Sequence, residues 1–94
     1  MNGQFRTFLT PGFQRDFRRI TRGNPRLESA LEEVLAILRE DPTNRSGRYP
    51  IKKLTGMRIG EGQWRIRWQK YRIRYDVIGA DVLLYSFRHR KEAY

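Results

Sequence analysis

A chain of 94 residues has room for one hydrophobic core, because a domain of this length buries only about 60 to 65% of the surface its unfolded chain exposes, so residues 1–94 are expected to form a single domain. It contains no cysteine, which removes disulfides, thiolate metal sites and cysteine nucleophiles and leaves stability to packing. Twenty Lys and Arg against ten Asp and Glu give a formal net charge of +10, most of it arginine, a balance that attracts polyanions such as nucleic acid, an anionic membrane or an acidic protein segment.

Met1 to Leu9 has no long apolar run and no small-residue cleavage site, so neither a leader nor a membrane anchor is expected, and the expected location is the cytoplasm. Phe5 to Leu9 reads as a short strand. It ends at Thr10-Pro11-Gly12, where Thr10 can cap a helix and Pro11 can occupy its first turn. Phe13, Phe17 and Ile20 recur at helical spacing. Thr21 to Pro25 breaks that helix and starts another, with Asn24 as cap. Leu27, Leu31, Val34, Leu35 and Leu38 form the apolar stripe of the second helix, which stops before Pro42 and makes a hairpin with the first.

Asp41 to Thr55 is rich in Pro, Asn, Ser, Gly and basic residues and reads as a surface loop. Trp64 to Trp68 and Tyr71 to Val77 then alternate strictly on either side of a tight Gln69-Lys70 connection, predicting a β-hairpin. Gly79-Ala80-Asp81 turns the chain into a last strand, Val82 to Phe87, which continues through Arg88, His89 and Arg90. The expected architecture is α+β: an N-terminal strand and a two-helix hairpin packed on an antiparallel sheet, in β-α-α-β-β-β order.

The alternation points Trp64, Ile66, Trp68, Tyr71, Ile73, Tyr75 and Val77 toward the helices and leaves Arg65, Arg67, Arg72 and Arg74 on the opposite face. If Leu83, Tyr85 and Phe87 also face the core, Ser86, Arg88 and Arg90 join that arginine face. Like charges opposed across a hairpin are destabilising unless an anion relieves them, so these arginines are candidate phosphate ligands, with Lys52, Lys53, Arg45, Arg48 and Arg58 extending the footprint. The parity that Trp64 and Trp68 share with Ile66 favours core packing over base stacking. His89, with an ordinary pKa near 6.5, is an attractive acid or base, but the same alternation sets it opposite Arg88 and Arg90.

The early paired helices, the Lys52-Lys53-Leu54-Thr55-Gly56 segment, the Trp64-Arg65-Ile66-Arg67 and Tyr71-Arg72-Ile73-Arg74-Tyr75 strands and the terminal Arg88-His89-Arg90-Lys91-Glu92-Ala93-Tyr94 occur in an order that resembles the RelE/ParE family of bacterial type II toxin-antitoxin toxins, the RelE-like mRNA interferase branch above all. The resemblance implies a RelE-like fold and a ribosome-dependent mRNA endonuclease that inhibits translation. Its partners would be mRNA in the ribosomal A site, ribosomal RNA and a cognate antitoxin covering the basic face, without a membrane, metal or cofactor. Two alternatives stay open: a gyrase-inhibiting toxin of the same fold, and a degenerate RNA- or ribosome-binding protein without cleavage.

By the nuclease pattern, Arg65, Arg67, Arg72, Arg88 and Tyr94 carry over to the site. The sequence departs from it where Arg65 and Arg67 replace common lysines and where it stops at Tyr94 without a further helix. Cleavage would proceed by attack of a ribose 2′-hydroxyl on the adjacent phosphate, which needs a base, an acid and positive charge on the phosphorane. Arginine supplies charge and is a poor proton shuttle. Tyr94 is the candidate base, its phenol acidified by Arg88 and Arg90; the competing reading is a stacking or terminal residue. Glu61, before the first arginine strand, is an alternative carboxylate base or an exposed turn residue.

Overall fold

The computed structural model describes residues 4–91, in which the chain runs β1 (Arg6–Leu9), α1 (Pro11–Thr21), α2 (Pro25–Glu40), β2 (Ile51–Lys53), β3 (Trp64–Trp68), β4 (Tyr71–Ile78) and β5 (Asp81–His89). The strands form one sheet in the order β1-β5-β4-β3-β2, and both helices pack on one of its faces. The α+β arrangement is the expected one. The sheet is mixed rather than purely antiparallel, because β1 lies parallel to β5, from Arg6 opposite Asp81 to Leu9 opposite Leu84. Among the described residues, no helix is long and apolar enough to cross a membrane.

Thr10 starts α1 and fastens it to the sheet. Its hydroxyl accepts from the Phe13 amide at 3.3 Å and donates to the Leu84 carbonyl at 2.7 Å. Asn24 precedes α2 as expected, but its side chain makes no capping hydrogen bond. The helix begins on Pro25, which has no N–H to satisfy. Leu27, Leu31, Val34 and Leu38 are the buried stripe of α2, and the last three meet Phe13, Ile66, Ile73, Tyr75, Val82, Leu84 and Phe87 in one core. Each such fully buried aliphatic or aromatic side chain contributes about 1.5 to 3 kcal/mol.

The segment read as a loop from Asp41 to Thr55 contains a third hairpin partner. Ile51 to Lys53 pairs antiparallel with Trp64 to Ile66 as the short edge strand β2. The turn before it is built on Asp41, whose carboxylate accepts from the Arg45 amide, the Ser46 amide and the Ser46 hydroxyl. Burial alone would raise the Asp41 pKa; the hydrogen bonds from Ser46 and Arg45 and the charge of Arg48 outweigh it and hold the carboxyl below its ordinary value. Tyr75 ties this turn to the core by donating its hydroxyl to the Pro42 carbonyl at 2.6 Å. Burial, with a smaller contribution from Asp41, pushes that phenol far above its usual pKa.

The β4–β5 ladder contains a bulge. Arg74 opposes Ser86, but Tyr75 opposes Leu84, so Tyr85 is an extra residue with nothing opposite it on β4. The expectation that Leu83, Tyr85 and Phe87 share the core face therefore fails. Val82, Leu84 and Phe87 are buried instead, and the extra residue is what lets Leu84 and Phe87, three apart, point the same way.

Candidate nucleic-acid interface

Strand register converts the arginine alternation into two rows on the helix-free face. One row runs Lys52, Arg65, Arg74 and Ser86; the other runs Arg67, Arg72 and Arg88. Pro50, Ile51, Lys52, Arg65, Arg67 and Arg72 line a concavity of about 270 Å³ whose charged walls are all cationic. Arg67 is exposed, while Arg65 and Arg72 are half-buried. Arg72 donates one Nη to the Tyr71 carbonyl at 3.0 Å, and its Nε is buried without a hydrogen-bond partner among the described residues. Such an N–H costs about 1 to 3 kcal/mol until an acceptor reaches it, and a phosphate oxygen is the acceptor this cationic setting favours.

Not every expected ligand lies in that concavity. Arg74 shares the face but is spent on structure: its Nε and Nη2 donate to the Gly62 carbonyl at 3.2 and 2.9 Å, and Nη2 donates to the Glu61 carbonyl at 2.7 Å. Lys53 has the parity of Trp64, so it lies toward the helix side, its ammonium 5.7 Å from the Trp64 ring centroid. Arg90 is exposed past the end of β5, and its amide donates to the Lys70 carbonyl at 2.7 Å. Arg48 pairs with Glu40 and covers Tyr49, away from either row.

Of the acid-base candidates, Glu61 is an exposed turn residue whose carboxylate accepts the Arg58 amide at 2.9 Å. His89 opposes Tyr71 on the helix side, packs edge-on against its ring at 5.7 Å, and accepts the Lys91 amide on Nδ1 at 3.2 Å. Tyr94 lies outside the described residues. Trp68 packs against Tyr71 and Phe87 as a core residue does.

Three residues that the alternation pattern does not single out shape the site. Asp76 shares the arginine parity yet is fully buried, because the 54–63 loop folds over it. Its carboxylate accepts from the Gly60 and Gln63 amides and from the Tyr85 hydroxyl. Burial, then the charge of Asp76 and this hydrogen bond, raise the Tyr85 pKa. Gly62, at φ +87°, permits the loop's close approach, since a Cβ there would stand 3.0 Å from the Arg74 Cβ. Asp16, on α1, holds Arg88 through an ion pair of 2.5 Å. A signal for Asp76 exists in the sequence: it is the one acid among the outward positions of β4, where every other polar residue is arginine.

Fold and site define a small α+β domain with a cationic open sheet face. The family model for the ParE toxin of the type II toxin-antitoxin system parDE matches residues 8–94. The chain therefore belongs to the RelE/ParE family and is a toxin of a type II toxin-antitoxin system. Two solved structures share its fold. The RelB-RelE antitoxin-toxin complex from Methanococcus jannaschii aligns over 93% of this chain and 94% of the other, with a TM-score of 0.67 and 20% identity. The toxin-antitoxin complex RelBE2 from Mycobacterium tuberculosis aligns over 93% of this chain and 99% of the other, with a TM-score of 0.60 and 20% identity. No curated protein sequence matches the chain.

Proposed function

We propose that this toxin is a cytoplasmic, ribosome-dependent mRNA endonuclease. The observation that carries the reading is the concavity walled by Lys52, Arg65, Arg67 and Arg72, which offers several N–H donors and no carboxylate to an incoming backbone. In this reading Arg65, Arg67 and Arg72 hold phosphates beside the scissile bond, and Arg88 stabilises the phosphorane. The 2′-hydroxyl loses its proton to a base, for which Tyr94 is the candidate. Its oxygen bonds to phosphorus as the bond to the 5′-oxygen breaks, and the leaving oxygen takes up a proton. Both of these solved structures are of toxin-antitoxin complexes, which supports a cognate antitoxin as partner here, one that would cover the basic face.

The second reading is a gyrase inhibitor of the same fold, favoured by the match to the ParE toxin model across most of the chain. Primer extension on cellular mRNA after brief expression separates the two. The nuclease reading expects codon-phased cuts that disappear in Arg88→Ala and Tyr94→Phe. Intact mRNA together with a DNA-damage response replaces it with the gyrase reading.

A further inference from the structure

β1 pairs with β5 only as far as Leu84, so beyond that point the outer edge of β5 has no strand beside it among the described residues. Helix α1, which follows β1 directly, takes over that edge. Its Asp16 carboxylate accepts the Phe87 amide at 3.3 Å and, through the same oxygen, a guanidinium Nη1 of Arg88 at 2.5 Å. Asp16 is largely shielded, its side chain 13% exposed, whereas the Arg88 side chain is 42% exposed. Arg88 is thus clamped at one end of its guanidinium and open at the other. Across the strands it opposes Arg72, itself opposite Arg67, so Asp16 brings a negative charge to the end of a row of three cations.

From this geometry we infer that Asp16 is a positioning residue: it fixes Arg88 so that the remaining guanidinium edge points at a phosphate bound in the arginine rows. The inference rests on the nuclease reading above. A guanidinium held by a carboxylate and a backbone-anchored helix gives up less freedom when it engages a charge that develops during reaction. Asp16 acts against simple binding, however, because a carboxylate near the groove repels RNA. The two effects have opposite signs, and that makes them separable.

The test compares wild type, Asp16→Asn, Asp16→Glu, Arg88→Ala and the Asp16→Asn/Arg88→Ala double variant on ribosomes programmed with mRNA. Cleavage rate at saturation and affinity for a short RNA are read separately. Asn keeps an acceptor for the Phe87 amide, so melting should stay near wild type. Its cleavage rate should fall on the order of 10- to 100-fold while RNA affinity holds or tightens. Asp16→Glu should recover part of the rate, and Asp16→Asn should cost nothing further once Arg88 is gone. Loss of rate, affinity and melting temperature together marks a merely structural carboxylate and overturns the inference, as does a wild-type rate in Asp16→Asn. The Arg88 Nε–H resonance gives a reading free of activity: sharp in wild type and broadened in Asp16→Asn if Asp16 fixes the side chain, unchanged if it does not. Wild-type protein that leaves mRNA intact strikes the nuclease reading, while the resonance still decides the positioning.

Discussion

Arg72 and Arg74 stand two residues apart on one strand and face the same side of the sheet, yet they do opposite work. Arg74 donates to the Glu61 and Gly62 carbonyls and belongs to the fold. Arg72 sits in the wall of an open concavity with a buried Nε that no acceptor among the described residues reaches. What separates them is the 54–63 loop, drawn down over the Arg74 end of the face by Asp76 and admitted there by Gly62. One end of the face is therefore internal, with its polar groups satisfied within the protein, and the other is presented to a partner. Charge alternation marks a face, and the loop decides which part of it is surface.

Substitutions at the two ends should dissociate stability from binding. Asp76→Ala should have the largest effect: it strips the acceptor from two amides and a phenol in a fully buried position, at a cost of about 3 kcal/mol or more, read as a lower midpoint in urea unfolding. Equal stability in that variant would break the distinction between the two ends. Arg67→Gln and Arg72→Gln should do the reverse. Their stability should stay within about 0.5 kcal/mol of wild type or rise as cross-strand repulsion is relieved. Their RNA affinity should fall, and the logarithmic salt dependence should flatten by about 0.7 for every phosphate that the variant no longer neutralises.

Much of this arrangement is legible in the sequence, and the exceptions have physical causes. Strict alternation in Trp64 to Trp68 and Tyr71 to Tyr75 writes core and arginine face together, and the helix stripes are equally plain. Val82 to Phe87 is almost continuously apolar, so it is compatible with either parity, and nothing local announces the extra residue at Tyr85. The strand β2 is three residues long with a single apolar member, too short to show a period. The clamp on Arg88 joins positions 16 and 88, a pairing that exists only once α1 lies along the edge of β5. Arg74 is indistinguishable from Arg72 by type and spacing, because its partners are backbone carbonyls.

The smallest expected effect lies away from both ends, in the turn that leads into β2. The Asp41 carboxyl is held below its ordinary value near 3.8, so its folded value is lower than its unfolded one. Its contribution to stability is complete above about pH 4 and is lost as the pH falls through the folded value. The stability gap between wild type and Asp41→Asn should accordingly be constant from neutral pH to about pH 5 and shrink below about pH 4 in urea titrations. A gap that persists unchanged at about pH 3 would show that the charge on Asp41 is irrelevant to the turn.

The bulge at Tyr85 makes β5 two strands in opposite phase: Val82 and Leu84 point inward on one side of it, Phe87 on the other, and Arg88 outward beside Phe87. Deleting that one residue would bring the halves into step: Leu84 and Phe87 would stand two apart, both still inward, with Ser86 between them and Arg88 beyond them still outward, so the ladder would become regular without moving any other side chain to the wrong face. Exchange of the Tyr85 side chain and removal of the whole residue are thus alike in leaving Arg88 aimed outward, and each withdraws from the buried Asp76 the phenol that donates to it.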